Sequence, residues 1–212
     1  MPLKVAVLLS GSGSTLQNLI EHIEQCRLDA RINCVVASRP DAYGLVRAQN
    51  HGIPHAIVSR KEFKSVDDFS AAVWTEIDRH APGLVVMAGF MCLLRIPDAY
   101  ANRVINVHPA LIPAFCGKGM YGHHVHEAVL AYGAKISGCT VHFADNQYDH
   151  GPIILQAHVP VLEDDTVDTL AERVQAKERE VYPRAIQMIA EGRVSVDGRR
   201  VRVLEKKEVQ SP

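Results

Sequence analysis

No stretch of this 212-residue chain approaches the run of about 20 apolar residues that a membrane-spanning helix requires. The N-terminal residues have no secretory signal, because the apolar run 5–9 has the length of a strand and no small-residue cleavage site follows it. Because no such apolar run is present, we expect no contact with a membrane. An internal repeat and a low-complexity tract are absent as well.

The chain also has few cysteines and almost no net charge. The five cysteines are odd in number, and none is part of a CxxC pair. This favours reduced thiols in a cytoplasmic protein over a disulfide framework or a zinc cage. With 23 basic and 24 acidic residues, the net charge is −1, so the chain lacks the field that holds polyanions. We expect no binding to nucleic acid. A hydrophobic fraction of 47% indicates an ordinary globular core.

The first half of the chain alternates strand-length apolar runs with helical patterns. Apolar residues at helical spacing over 15–26 follow the first run, and Ser65 with Asp68 resembles a capping box that begins another helix. The order βαβαβαβ predicts a parallel sheet with helices on both faces, since parallel strands need crossover helices. Ligands of such sheets bind beyond the C-terminal ends of the strands. The four predicted strands are 5–9, 32–37, 55–58 and 84–88.

The second half has a less regular pattern. A long helical segment is interrupted at Pro183, and Asp197-Gly198 forms the centre of a hairpin signal. No linker separates the two halves, so we predict one α/β domain over residues 1–212 with a Rossmann-like, mostly parallel sheet and a C-terminal hairpin. The predicted elements are a strand at 104–107, a loop at 110–124, a helix at 126–132, strands at 137–143 and 153–159, a helix at 166–191 and a hairpin at 194–203.

The segment from Ser10 to Thr15 is a glycine-rich turn between a strand and a helix. Backbone N–H groups at such a helix start bind anions such as phosphate. It is not a Walker A loop, because no Gly-Lys-Ser/Thr follows, and Leu16 replaces the third glycine of a dinucleotide fingerprint. Gly11-Ser12-Gly13 also lacks the spacing of a nucleophile elbow. The pattern favours a monophosphate site over an ordinary capped turn.

Asn106 and His108 lie two residues apart at the end of a predicted strand. Their side chains therefore project from the same face. An amide donor beside an imidazole suits a reaction that builds an oxyanion, although such a pair is more often a satisfied structural contact. Asp149, in a Gly/Pro-rich loop, contributes only if it faces His108, because an adjacent carboxylate favours the imidazolium and fixes its tautomer.

The histidine cluster His123-His124-Val125-His126 suggests a metal site at first sight. Structural metal sites use Cys and His at fixed spacings with a second pair elsewhere, and this chain has no such second pair. We interpret the cluster as a polar loop and helix start, and we predict that the protein uses no metal.

Five motifs occur together in an order and at a spacing that resemble the phosphoribosylglycinamide formyltransferases, the folate-dependent enzymes of purine biosynthesis. The resemblance covers residues 3 to 195, and the Asn-x-His-Pro and Asp-x-Gly-Pro motifs are common to formyltransferases in general. It implies a formyltransferase fold, with a ribotide-phosphate half at 1–100 and a catalytic and folate-binding half at 101–205. The motifs are 10–17 (SGSGSTLQ), 88–91 (AGFM), 106–113 (NVHPALIP), 138–143 (GCTVHF) and 149–156 (DHGPIILQ).

The resemblance implies two small-molecule substrates, 10-formyltetrahydrofolate as co-substrate and 5′-phosphoribosylglycinamide as acceptor. By analogy with the family, Asn106 donates a hydrogen bond to the tetrahedral oxyanion. His108, as imidazolium, stabilises that oxyanion and donates a proton. Asp149 keeps His108 protonated and helps to move the proton through water. A cis peptide is expected at Ile112-Pro113, and the chain is expected to act as a monomer or homodimer.

Two binding regions follow from the same resemblance. The ribotide is expected at Gly13, Ser14 and Thr15 through its phosphate and at Glu178 through its ribose. The folate is expected along Met91, Cys92, Leu93 and Leu94, largely through backbone groups, at Asn106, near Val66 and along the loop 144–149. Cys92 and Val66 stand where relatives often carry basic residues, which weakens the case for a charge clamp on the folate glutamate.

Three alternatives stay open. A formyltetrahydrofolate hydrolase would use the same catalytic trio, but it usually carries a regulatory domain before the glycine-rich strand, which we expect to be absent here. A formyltransferase acting on another amine, such as an amino sugar or charged tRNA, usually brings C-terminal domains. A non-catalytic phosphate-binding module would keep the loop 10–15 and would need none of Asn106, His108 and Asp149.

Overall fold

Seven strands form one mixed sheet in the computed structural model, which describes residues 1–205. The strands are β1 (Leu3–Leu9), β2 (Ala30–Ala37), β3 (His55–Ile57), β4 (Leu84–Met87), β5 (Val104–His108), β6 (Ile136–Phe143) and β7 (Ile153–Pro160). Their order across the sheet is β3-β2-β1-β4-β5-β6-β7. β1 to β5 run parallel, whereas β6 is antiparallel to both of its neighbours, β5 and β7. The predicted mostly parallel sheet is confirmed.

Five α-helices cover the two faces of this sheet. They are α1 (Ser14–Glu24), α2 (Gly44–Asn50), α3 (Val66–Asp78), α4 (His123–Tyr132) and α5 (Val167–Ala190). α3 packs on one face, and the other four helices share the opposite face. Ser65 caps α3 as expected, since its hydroxyl accepts from Asp68 N at 3.0 Å. The Asp68 carboxylate accepts from that hydroxyl at 2.7 Å rather than from the Ser65 backbone N–H, so only half of the expected capping box is formed.

The alternation of side chains along β1 divides the interior into two cores. Val5, Val7 and Leu9 point to the four-helix face, and Ala6 and Leu8 point to α3. All five are almost fully buried, which is why the strand reads as a continuous apolar run. This central strand delivers the segment that begins at Ser10 to the edge of the sheet where β4 and β5 also end.

The α5 helix corrects one prediction, because it runs unbroken through Pro183. Proline has no N–H, so the carbonyl of Arg179, four residues earlier, has no helical donor. The side-chain amide of Asn18 donates to that carbonyl at 2.9 Å instead. A contact from α1 thus replaces the hydrogen bond that the proline removes. A second correction concerns α4, which begins three residues earlier than predicted and includes His123.

The predicted C-terminal hairpin is confirmed as β8 (Val194–Asp197) and β9 (Arg200–Val203). Asp197 pairs with Arg200, so the two turn residues are Gly198 and Arg199, one position later than predicted. The Ile112–Pro113 peptide is cis, as expected. In the part of the chain that the structure describes, no helix has both the length and the apolarity needed to cross a membrane. The division into halves at residue 100 stays a prediction, and residues 206–212 lie outside the described range.

Candidate active site

Asn106 and His108 lie at the C-terminal end of β5, and both line a cavity of about 340 Å³. The cavity opens where β1, β4 and β5 end, since Thr15 and Met91 are also in its wall. This is the edge of the sheet at which the sequence pattern predicts ligands. The two side chains therefore share one cleft, as expected from their spacing.

Asp149 reaches the same cavity from the loop between β6 and β7. Its Oδ2 lies 3.5 Å from Nδ1 of His108, and the side chain is only 12% exposed. The backbone N–H of Gly117 donates to the same oxygen at 2.9 Å. The structure thus brings Asn106, His108 and Asp149 together and places the carboxylate against the imidazole.

Gly151 explains why the Asp-x-Gly-Pro sequence can turn back beside β6. A Cβ at this position would lie 1.8 Å from the carbonyl oxygen of Phe143. The two strands are tied at the same point, because Phe143 N donates to Pro152 O at 2.8 Å. Asp149 itself has a φ of 50°, a left-handed conformation that Asp adopts more readily than most residues. The base of the loop is thereby closed, and Asp149 is directed inward.

Both ring nitrogens of His108 face oxygen atoms. Nε2 lies 2.9 Å from the carbonyl of Phe115, which can only accept, so Nε2 carries a proton. Nδ1 then faces the Asp149 carboxylate, which is also an acceptor. A proton on Nδ1 satisfies both contacts at once. The ring is therefore held between the Phe115 carbonyl and the Asp149 carboxylate, with Nδ1 directed at the carboxylate.

His142 is a member of the site to which the sequence analysis gave no role. It pairs with Asn106 across β5 and β6, is buried, and lies 3.8 Å from Asp149 through Nε2. Its Nδ1 donates to Phe143 O at 2.9 Å, so Nε2 is free to accept from the Asn106 amide at 3.4 Å. Burial lowers the pKa of His142 more than Asp149 raises it. A neutral His142 therefore orients the Asn106 amide and leaves its second hydrogen for a ligand.

Most of the residues that are expected to contact the folate line the cavity. Met91, Cys92, Leu93 and Leu94 line it together with Asn106, whereas Val66, at the start of α3, is not in the wall. A folate contact at Val66 therefore finds no support in the geometry. The wall also contains five residues of the expected loop, namely Ala144, Asp145, Gln147, Tyr148 and Asp149.

Ser10 connects the glycine-rich loop to the part of the cavity wall that contains Met91. Its buried hydroxyl accepts from Met91 N at 2.8 Å and exchanges a hydrogen bond with Ser38 at 2.6 Å. The backbone after β4 is therefore held by the residue that follows β1. Local sequence could not reveal this contact, because the two residues are far apart in the chain.

A second, polar cavity of about 250 Å³ lies at the start of α1. Ser14 and Thr15 line it, as expected for a phosphate site, but Gly13 does not. Gly13 instead shapes the turn: its φ is 70°, and a Cβ there would lie 2.5 Å from Cα of Gly44. Ser12, from the same predicted turn, lines the cavity as well. Sequence analysis missed three residues of this wall, which are Asn18, Gln175 and Arg179.

The two cavities share a wall formed by Thr15, Gln175 and Glu178. Glu178 is half-buried, and loss of water around it raises its pKa to about 7, against the opposing charge of Arg179. Near neutral pH this carboxyl exists in both protonation states, so it can donate or accept a hydrogen bond. A molecule that occupied both cavities would pass directly over it.

The histidines of the 123–126 cluster have different surroundings. His123 and His124 are exposed, whereas His126 is buried and its pKa is lowered by that burial. Within residues 1–205, no group of three or more His, Cys, Asp or Glu side chains is placed to hold a metal ion.

The chain belongs to the formyl transferase family, whose model matches residues 3–186. Within that family it is 36% identical over 196 residues to "Phosphoribosylglycinamide formyltransferase" of Escherichia coli, covering 92% of this chain and 90% of the relative. The crystal structure of glycinamide ribonucleotide transformylase 1 from Symbiobacterium toebii superposes with a TM-score of 0.90 at 42% identity, over 96% of this chain and 95% of that one.

Two further relatives show how widely the fold is used. The human "Trifunctional purine biosynthetic protein adenosine-3" is 37% identical over 195 residues, which are 91% of this chain and only 19% of that protein. The chain thus spans 14–19% of the length of the trifunctional relatives it matches. A formyltetrahydrofolate deformylase from Pseudomonas syringae has a TM-score of 0.86 at 26% identity, covering 97% of this chain and 67% of that one.

Proposed function

We propose that this chain transfers the formyl group of 10-formyltetrahydrofolate to the amine of 5′-phosphoribosylglycinamide, a step of purine biosynthesis. The observation that carries the proposal is the shared wall between the two cavities. The polar cavity at the start of α1 suits a phosphate, and the cavity beside His108 suits the reacting groups. One ribotide extending across Glu178 would present its amine to a formyl group beside Asn106.

The reaction that fits this site is an acyl transfer. The amine nitrogen attacks the formyl carbon, a new C–N bond forms, and the carbonyl electrons move to oxygen. Collapse of this tetrahedral species breaks the bond to N10 of the folate. The amine loses one proton and N10 gains one, so tetrahydrofolate and the formylated ribotide leave with no net change in charge.

Asn106, His108 and Asp149 each have a role in these reaction steps. The Asn106 amide, oriented by His142, donates to the oxyanion, and a preorganised donor of this kind contributes about 3–4 kcal/mol. His108 places a positive charge near the oxyanion and can donate its Nδ1 proton toward the leaving nitrogen. Asp149 stabilises the imidazolium at 3.5 Å and can take up the proton released by the amine through water.

The ribotide phosphate would bind at the start of α1. The first backbone N–H groups of a helix have no helical acceptor and point outward, and the helix dipole favours an anion there. The hydroxyls of Ser12, Ser14 and Thr15 and the guanidinium of Arg179 surround the same space. Glu178 would then contact a ribose hydroxyl. We assign the folate to the other cavity, against the backbone of 91–94 and the loop 144–149.

Transfer to water instead of an amine is the second candidate function, since the Pseudomonas syringae deformylase has a similar fold. The polar cavity favours the transferase, because a hydrolase needs no ribotide site. The phosphate-binding loop, the three catalytic candidates and Glu178 all lie along one path. An amine other than the glycinamide ribotide would have to fill the same polar cavity.

We further propose a cytoplasmic location, supported by five unpaired cysteines. Burial raises the pKa of the thiols of Cys34 and Cys139 to about 12, which makes these two unreactive. We also propose that the chain acts as a monomer or a homodimer.

The decisive experiment follows tetrahydrofolate release from 10-formyltetrahydrofolate optically, with and without 5′-phosphoribosylglycinamide. Release that requires the ribotide is the expected result. Release without it would make water the acceptor and favour the deformylase. If a different amine replaced the ribotide with equal efficiency, the acceptor assignment would be wrong.

A further inference from the structure

The loop 144–150 connects β6 to β7, lines the cavity and carries Asp149. Its two ends meet, because Nδ1 of His150 donates to Oδ2 of Asp145 at 2.7 Å. A second anchor lies on the far side, where the Asn146 side chain accepts from Ile96 N at 2.7 Å and donates to Ile96 O at 3.2 Å. The loop is thus fastened near Asn146 and closed at His150.

A third anchor comes from outside the loop. Arg199, in the turn of the β8–β9 hairpin, donates to the carbonyl oxygen of His150 at 2.8 Å and to its Nε2 at 2.9 Å. One guanidinium therefore holds both the backbone and the ring of the residue after Asp149. With Nδ1 donating to Asp145, Nε2 is the free acceptor of a neutral imidazole, so the three side chains form one chain of hydrogen bonds.

We infer that Arg199 is a positioning residue, which fixes the peptide beside Asp149 and thereby sets both folate affinity and turnover. The inference rests on the proposed function, since it assumes that folate occupies the cavity beside this loop. Asp149 is in a left-handed backbone conformation, which persists only where the surroundings hold it. Arg199 supplies part of that support, because it binds the residue that follows Asp149.

The hairpin is a firm base for such an anchor. Val194, Val196 and Val201 pack against the main core, so the hairpin does not depend on its turn. Its ends are tied as well: Leu204 N donates to Arg193 O at 2.8 Å, and Arg193 Nε donates to Leu204 O at 2.7 Å. Removal of the Arg199 side chain should therefore loosen the loop and leave the hairpin folded.

The test compares Arg199→Ala with Arg202→Ala, a matched control on the same hairpin, whose guanidinium lies 3.9 Å from the Asp197 carboxylate. For Arg199→Ala we expect KM for 10-formyltetrahydrofolate to rise and kcat to fall, each by about three- to tenfold, the cost of one or two lost hydrogen bonds. The Kd of the ribotide should stay unchanged, because its phosphate site lies at the start of α1. A general loss of structure would not separate the two substrates in this way.

Two further experiments test whether the effect comes from the contact between Arg199 and His150. Arg199→Lys keeps the charge with one donor in place of a fork and should recover part of the folate affinity. In a double-mutant cycle, His150→Ala should cost less in the Arg199→Ala background than in the parent, because the two residues act through one contact. Additive effects, or unchanged kinetics in Arg199→Ala, would overturn the inference.

Hydrogen exchange separates this inference from the proposed function. The amides of residues 145–150 should exchange faster in Arg199→Ala and at the parental rate in Arg202→Ala, whether or not any substrate turns over. If the parent releases no tetrahydrofolate, the proposed function is wrong. The exchange rates still test whether Arg199 holds the loop, because they do not depend on turnover. If the parent is active and the exchange of the loop is the same in Arg199→Ala, the anchor is refuted.

Discussion

Nδ1 of His108 faces Oδ2 of Asp149 at 3.5 Å, across the cavity edge that joins β5 to the loop after β6. The pair defines the first prediction. His108→Ala should lower kcat by about 10²–10⁴-fold, the usual contribution of a positioned proton donor, with little change in ribotide Kd. Steady-state kinetics and equilibrium titration measure the two quantities. His51→Ala, at the far end of α2, is the control, and equal loss of binding and turnover would indicate a structural role for His108.

His142 gives the second prediction, because its Nε2 accepts from the Asn106 amide at 3.4 Å. His142→Leu removes the Nε2 acceptor and fills the same buried position with an apolar side chain. The Asn106 amide then loses the contact that orients it. We expect kcat to fall about tenfold, the equivalent of one hydrogen bond of about 1.4 kcal/mol. His142→Gln retains an acceptor and should fall less. A larger loss in the Gln variant than in the Leu variant would contradict this role.

The phosphate site gives the third prediction, at Ser14. Ser14→Glu places a negative charge at the first turn of α1, where it suits the helix dipole but repels a phosphate. Ribotide affinity should fall by about tenfold or more, or ~1.4 kcal/mol, while KM for the folate stays constant. Calorimetric titration with the ribotide provides the measurement, and Ser14→Gln serves as the uncharged match. If the Glu and Gln variants bind equally well, the phosphate lies elsewhere.

Glu178 leads to a prediction about pH and stability. Its pKa in the folded chain is raised to about 7, above the value of an unfolded Glu. Between the two pKa values the folded state binds a proton that the unfolded state does not, so this group lowers stability as pH rises. Glu178→Gln should therefore raise Tm at about pH 8 and change it little at about pH 4, near the pKa of a free Glu.

Thermal unfolding of the ligand-free chain at a series of pH values provides this measurement. Glu180→Gln is the matched control on the same helix, since Glu180 is exposed. If Glu178→Gln and Glu180→Gln show the same pH dependence, the burial of Glu178 does not control its ionisation.

The fifth prediction concerns the helix that contains Pro183. Asn18→Ala leaves the Arg179 carbonyl without its donor, and we expect a loss of about 1 kcal/mol, or roughly 2–4 °C in Tm. Pro183→Ala restores an N–H that can bond the same carbonyl. Asn18→Ala should therefore cost less in the Pro183→Ala background, as unfolding by denaturant would show. Equal costs in both backgrounds would mean that the carbonyl does not depend on Asn18.

Local sequence patterns predict most of the fold and the centre of the site. Strands and helices carry their own periodicity, and Asn106 and His108 share a face because they lie two residues apart on one strand. Asp149 is different, since only the resemblance to a family placed it against His108. Cooperating residues from distant segments, such as His142 and Arg199, give no local signal, because their contacts exist only after the sheet and the hairpin are assembled.

The predicted break at Pro183 failed for a related reason. A proline removes a donor, and the sequence of α5 alone offers no substitute. Asn18 supplies one from α1, which makes the helix continuous. The expected folate contact at Val66 differs in kind, because it was transferred from relatives by position and the cavity does not extend to that residue.

The close contact of Gly151 with the Phe143 carbonyl has a consequence for protein engineering. Gly151 packs on the Phe143 carbonyl and Phe143 N donates to Pro152 O, so β6 and β7 are joined at the base of the loop 144–150. We therefore expect that the segment between Phe143 and Gly151 can be replaced by another loop without loss of the sheet. A graft of this segment into another scaffold would also have to supply counterparts of Ile96 and Arg199, which hold the loop from outside.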